Sequence, residues 1–118
     1  MASIAAALHD LLNESDLAVE DTLTRYFTDD FRQSTNGDWI DRSAFAEQMS
    51  RLRLVIDRAE IRVVQELSSG SGYAERHVLT ATMRDGSAAA QEVFLFAEIA
   101  DDGRFASLEE LVRPLTDD

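Results

Sequence analysis

The 118-residue sequence, 45% hydrophobic and 29% charged, has the proportions of an ordinary globular chain, and its length fits one domain spanning 1–118. Asp and Glu number 23 against 11 Lys and Arg, a formal net charge of -12, and that field repels phosphate backbones and anionic lipid, which argues against nucleic acid and membrane partners. No cysteine is present, which excludes disulfides, zinc–thiolate sites and thiol nucleophiles and suits a reducing cytoplasm.

The first stretch, MASIAAALHDLLNE, is apolar but lacks a basic start and soon meets His9 and Asp10. It reads as an amphipathic helix, not a secretory signal. Ile4, Leu8, Leu11 and Leu12 recur at helical spacing, with Ser3 as N-cap. A second helix is expected after Ser15 or Asp16, with Val19, Leu23, Tyr26 and Phe27 on one face and its end at Phe31. Asn36 and Gly37 both tolerate positive φ and mark a turn. A short strand, DWI, follows, and then a third helix capped by Ser43 that carries Phe45, Met49 and Leu52 on one face. No apolar run reaches membrane-spanning length.

Beyond Asp57 the pattern changes to strands. AEIRVVQEL (59–67) is rich in β-branched residues, and YAERHVLTATMR (73–84) follows a Gly/Ser loop. Asp85-Gly86 is a hairpin signal leading to AAAQEVFLFAEIA (88–100). Asp102-Gly103 turns the chain into RFASLEELV (104–112), which Pro114 ends or holds at an edge, because it cannot donate to a ladder. Three helices therefore precede one antiparallel meander. The strand containing Val93, Leu95, Ala97 and Ile99 on one parity has Phe94 and Phe96 on the other. A strand apolar on both faces is covered on both. The helices cover one, and a second copy of the chain is the simplest cover for the other.

The stretches LTRYFTDDF (23–31), NGDWIDRSAFAEQM (36–49), MRDG (83–86) and VFLFAEIADDGRF (93–105), in this order, resemble the nuclear transport factor 2-like superfamily. The nearest resemblance is to its small bacterial SnoaL-like and ketosteroid-isomerase-like members. The resemblance implies an α+β cone, three N-terminal helices packed in a curved antiparallel sheet, with an apolar pocket at the open end. It also implies a homodimer through the outer sheet face, here Leu79, Met83, Phe94 and Phe96. Isomerases, dehydratases, cyclases, epoxide hydrolases and non-enzymatic carriers share this fold, so fold alone does not give chemistry. Three functions follow from it: a pocket for a small apolar or aromatic molecule, a cofactor-free isomerase, dehydratase or polyketide-cyclase-like enzyme, or a protein-interaction module.

The catalytic positions of ketosteroid isomerases fall at Leu8 or His9, at Thr35 and at Leu95, none of which is the residue that chemistry needs. The same comparison points Arg76, Val78 and Thr80 into the pocket, with Gln91, Val93, Leu95 and Ala97 of the next strand and Leu108, Glu110 and Val112 of the last. Tyr26, Thr35 and Trp39 would complete the ligand-binding set. Glu110 is the single carboxylate of that inward group, an acid–base candidate or a partner for Arg76. His77 would lie outside, beside Tyr73 and Glu75. A bulge would invert the strand and make His77 and Glu75 the pocket pair instead, so Glu110 and His77 are the two catalytic candidates. Glu98, Asp102, Gly103 and Glu109 fall at calcium-loop spacing, but Ala100 takes a ligand position and the flanks read as strands. No metal or other cofactor is expected.

Overall fold

The computed structural model describes residues 3–115. The elements are α1 (Ile4–Asn13), α2 (Val19–Tyr26), β1 (Phe27–Thr35), β2 (Asp38–Asp41), α3 (Arg42–Val55), β3 (Ile56–Ser69), β4 (Gly72–Met83), β5 (Ala88–Ile99) and β6 (Phe105–Leu115). The six strands form one sheet in the order β2-β1-β6-β5-β4-β3. Neighbours are antiparallel except β1 and β6, which run parallel, so the sheet is mixed and not the purely antiparallel one expected. No helix among the described residues is long and apolar enough to cross a membrane.

Ser3 caps α1, its hydroxyl accepting the Ala6 amide. The other two caps differ from expectation. α2 starts after Ala18, with no side-chain cap, and places Glu20 and Asp21 in its first turn, where they complement the helix dipole. α3 is capped by Asp41, which accepts from the Ala44 amide, and Ser43 lies inside the helix.

The principal element that sequence patterning misassigns is β1. Leu23, Phe27 and Phe31 are four residues apart, which mimics one helical face. All three are buried, yet the helix ends at Tyr26. Residues four apart share a face in a strand, so Phe27 and Phe31 both turn inward; the register of β1 against β6 jumps between Phe27 and Arg32, and this irregularity folds the strand back enough to bring their ring centroids to 4.4 Å. Phe45 and Phe105 join them in one aromatic cluster.

Two asparagines extend the sheet's hydrogen bonding with their side chains. Asn13, at the end of α1, brackets Ala59 of β3, accepting from its amide and donating to its carbonyl. Asn36, in the β1–β2 turn with φ of 51°, does the same to Val112 of β6. Arg53 of α3 donates to the carbonyls of Asp10, Leu11, Glu14 and Leu17, closing the C-terminal end of α1. The Asn13 and Arg53 contacts fix α1 over the inner sheet face. β6 runs one residue past Pro114, which lies beyond the last β1–β6 rung at Thr35 and Glu110.

The orientation of β4 is the second correction. A two-residue Asp85-Gly86 turn would pair Arg84 with Ser87 and set Val78 opposite Val93. Instead the Met83 amide donates to Ser87, the loop holds Arg84, Asp85 and Gly86, and Thr82 pairs with Ala88. His77 therefore faces Val93, and every side chain of β4 is inverted relative to the expectation. Tyr73, Glu75, His77 and Ala81 are buried. Arg76 and Val78 turn to the opposite face, and Thr80 is exposed. Leu79 and Met83 pack against the core, so they do not belong to an outer interface.

Candidate functional site

The strand register lays the polar residues of the inner face in rows. Glu66 stands opposite Glu75, Glu75 opposite Leu95, Leu95 opposite Glu110, and Glu110 beside Thr35 of β1. The adjacent row runs from His77 through Val93 to Val112. Apolar side chains of α1 and α3 close over these rows and enclose a cavity of about 110 Å³. Ile4, Leu8, Phe45, Met49 and Leu52 line the helix side. His77, Leu79, Gln91, Val93, Leu108 and Glu110 line the sheet side, with Gln33 and Gln48 adding polar groups. A few polar groups converging in an apolar enclosure is the usual make-up of a small-molecule site.

His77 is held from one side only. Its Nδ1 lies 2.5 Å from Glu75 Oε2, and the two side chains are 1% and 0% exposed. With Glu75 Oε2 accepting there, the ring carries its proton on Nδ1 and keeps the lone pair on Nε2. Nε2 is buried and has no hydrogen-bond partner among the described residues. A buried polar atom left open costs free energy unless something else satisfies it. The second oxygen of Glu75 lies 2.7 Å from the Tyr73 hydroxyl, a hydrogen bond that fixes the side chain orienting the ring.

Glu110 faces the same cavity from β6. Its Oε1 accepts from Thr35 Oγ1 at 2.9 Å and from Gln33 Nε2 at 3.3 Å. Burial pushes its carboxyl above the ordinary range, and the Thr35 hydrogen bond and the nearby His77 only partly oppose that shift. The cavity thus brings together an oriented imidazole with a free nitrogen and a carboxyl biased towards its protonated form. Such a pair can take a proton at one point of a bound molecule and give one at another.

Thr35 contributes through Glu110 and does not itself line the cavity. Leu95 is buried between the two glutamates, and Val112 packs half-buried against the core. Tyr26 and Trp39 lie elsewhere: the Tyr26 hydroxyl donates to Asp10, and Trp39 is 44% exposed under the Arg32 guanidinium. Arg76 sits on the outer face over Phe94 and near Glu92, so it does not pair with Glu110. Gln33 and Gln48 were missed by sequence reasoning. Gln33 lies in the unrecognised β1, and Gln48 looks like any surface glutamine on a helix.

Three helices against this mixed sheet match known structures along nearly the whole chain. A nuclear transport factor 2-like protein of unknown function from Exiguobacterium sp. 255-15 aligns over 92% of this chain and 96% of its own, with TM-score 0.73 and 18% identity. The fold is that of the nuclear transport factor 2-like superfamily. An LEH-like epoxide hydrolase of M. tuberculosis shares it over 92% of this chain and 78% of its own (TM-score 0.71, 16% identity). A protein with a ketosteroid isomerase-like fold from Catenulispora acidiphila, solved in complex with trimethylamine, matches over 93% and 85% (TM-score 0.69, 11% identity). No family model matches the sequence, and a search of curated proteins found no match either. At these identities the nuclear transport factor 2-like likeness concerns the fold, and the chemistry rests on the residues in the cavity.

Proposed function

We propose that the cavity binds a small, mainly apolar neutral molecule and carries out cofactor-free acid–base chemistry on it, with His77 and Glu110 as the proton-transferring groups. In this reading the sheet curls about the helices as a cone with the cavity at its open end. The observation that carries the reading is the buried, unpartnered Nε2 of His77 in a cavity it shares with Glu110. His77, oriented by Glu75, abstracts a proton from carbon or oxygen. Glu110 donates to the oxygen on which charge develops. Isomerisation, dehydration and cyclisation of an enolisable carbonyl compound all begin with these two transfers, which give the enol; isomerisation then returns a proton to another carbon, dehydration expels a β-hydroxyl as water, and cyclisation joins the enol carbon to a second carbonyl carbon. The test is a panel of small ketones and enones in deuterated water, followed by NMR. Exchange of substrate α-protons that is lost in both His77→Gln and Glu110→Gln is the expected result. Binding that perturbs the His77 resonances without exchange would leave a carrier. Failure of any compound to perturb His77 or Glu110 would remove the small-molecule reading.

A second proposal concerns assembly. Phe96 is 73% exposed on the outer face of β5, and Leu111, directly opposite Phe94 on β6, is also exposed. Together with Phe94 they form an apolar patch beside a groove of about 360 Å³ that also touches Leu67 and Arg76. We propose that a second copy of the chain covers this patch. A monomer in solution would favour the protein-interaction reading, with a different partner on the same surface. The absence of cysteine supports a cytoplasmic setting for either assembly.

A further inference from the structure

The hydrogen bonds of His77 do not stop at Glu75. The Tyr73 hydroxyl oxygen that lies 2.7 Å from Glu75 Oε1 also lies 2.5 Å from Glu66 Oε2. Glu75 and His77 are buried, whereas Glu66 stands on the edge strand β3 and is exposed. One unbroken chain of hydrogen-bonding groups therefore runs from the cavity wall to solvent. A phenol has one proton, so both of its contacts are hydrogen bonds only if one of the two carboxyls carries a proton as well.

We propose that Glu75, Tyr73 and Glu66 form a proton relay that connects His77 to solvent at the sheet edge. This rests on His77 being the proton-transferring group of the site. Before transfer, His77 Nδ1–H donates to Glu75 Oε2, Glu75 Oε1–H donates to the Tyr73 oxygen, and the Tyr73 hydroxyl donates to the Glu66 carboxylate. When Nε2 takes a proton, the Nδ1 proton passes to Glu75 Oε2. The Oε1 proton passes to Tyr73, and the Tyr73 proton passes to Glu66. One proton enters at Nε2, one resides on Glu66, and no buried group gains net charge. Glu66 then exchanges its proton with water. Run in reverse, a proton from Glu66 returns to Nδ1 as Nε2 gives its own proton back to the bound molecule, so His77 accepts at one atom of that molecule and donates at another while the buried ring stays neutral.

Burial, with the two carboxyls hydrogen-bonded to it, keeps the Tyr73 phenol protonated well above its ordinary range. Tyr73 therefore moves protons by handing one on as it receives another, not by ionising.

The test needs no organic substrate, because water entering the cavity can give a proton to Nε2 and take it back. By NMR, exchange of the His77 ring N–H with water is measured in the wild type, in Tyr73→Phe and in Glu66→Gln. The relay makes this exchange fast despite burial, and each substitution should slow it by about tenfold or more. A merely structural role would act in the opposite direction, because loosening a fold speeds exchange. Glu66→Gln, a change at an exposed position, serves if Tyr73→Phe does not fold. Exchange unchanged or faster in the folded variants overturns the relay. Loss of ketone exchange in His77→Gln and Glu110→Gln would still stand in that case, so the two claims fail separately.

Discussion

His77 and Val93 stand directly opposite one another on β4 and β5, and that pairing carries the imidazole into the cavity and turns Arg76 out of it. The two neighbouring side chains should consequently respond very differently to truncation. His77→Ala leaves Glu75 Oε2 buried without its partner and a void beside it, and should cost about 2–4 kcal/mol of stability. Arg76→Ala removes a half-exposed side chain near Glu92 and should cost less than about 1 kcal/mol. Denaturant melts of both variants check the orientation of β4. A larger loss from Arg76→Ala would mean that the strand is inverted.

In the last two strands the family comparison pointed Val93, Leu95, Ala97 and Leu108 inward, and these are buried, although VFLFAEIA, apolar on both parities, does not by itself tell the two faces apart. β4 is equally ambiguous. In YAERHVLTATM one parity carries Tyr73, Glu75 and His77, and the other carries Ala74, Arg76 and Val78. Neither is the obvious inside, so the length of the turn at Arg84–Gly86 decides, and a difference of one residue reverses it. β1 was hidden for a different reason: an irregular strand that buries Phe27 and Phe31 has the spacing of a helix. Glu110 could be placed because β6 follows β5 through a short turn, whereas Gln33 could not be placed without β1.

Glu110 gives the stability a definite pH dependence. Its native carboxyl holds its proton to higher pH than the unfolded chain does. Below the ordinary glutamate range both states are protonated and the group adds no slope. As pH rises through that range the unfolded chain ionises first and stability falls, until the native carboxyl ionises too. Glu110→Gln should remove this decline, so its stability relative to wild type should rise with pH and then level off. Chemical denaturation across pH 4–8 (about that span, set by the ordinary glutamate value) measures the difference. A difference that is flat or falls with pH would show that burial does not dominate at Glu110.

Phe96→Asp tests the outer face. Because Phe96 is 73% exposed, the variant should fold with nearly unchanged thermal stability at low protein concentration. In sedimentation velocity at micromolar concentration the wild type should run as a dimer and the variant as a monomer. A monomeric wild type would remove the self-association claim.

Arg53 is expected to matter for the cavity although it does not line it. Arg53→Met leaves four carbonyls around the end of α1 without their donor. A loss of about 2–3 kcal/mol is the scale of hydrogen bonds to a charged group. Faster amide exchange in α1 and β3 should accompany it, since Ala59 is bracketed by Asn13 of that helix.

The central claim is that one cavity presents His77 Nε2 and the Glu110 carboxyl to the same bound molecule. Crystallographic screening of small neutral carbonyl compounds tests it most directly. The expected result is density in the cavity under α1 and α3, with a polar atom of the compound within hydrogen-bond distance of Nε2 and another within reach of Glu110. Nε2 bonded to a protein carbonyl in every crystal, with compounds bound only on the outer face beside Phe94 and Phe96, would contradict it.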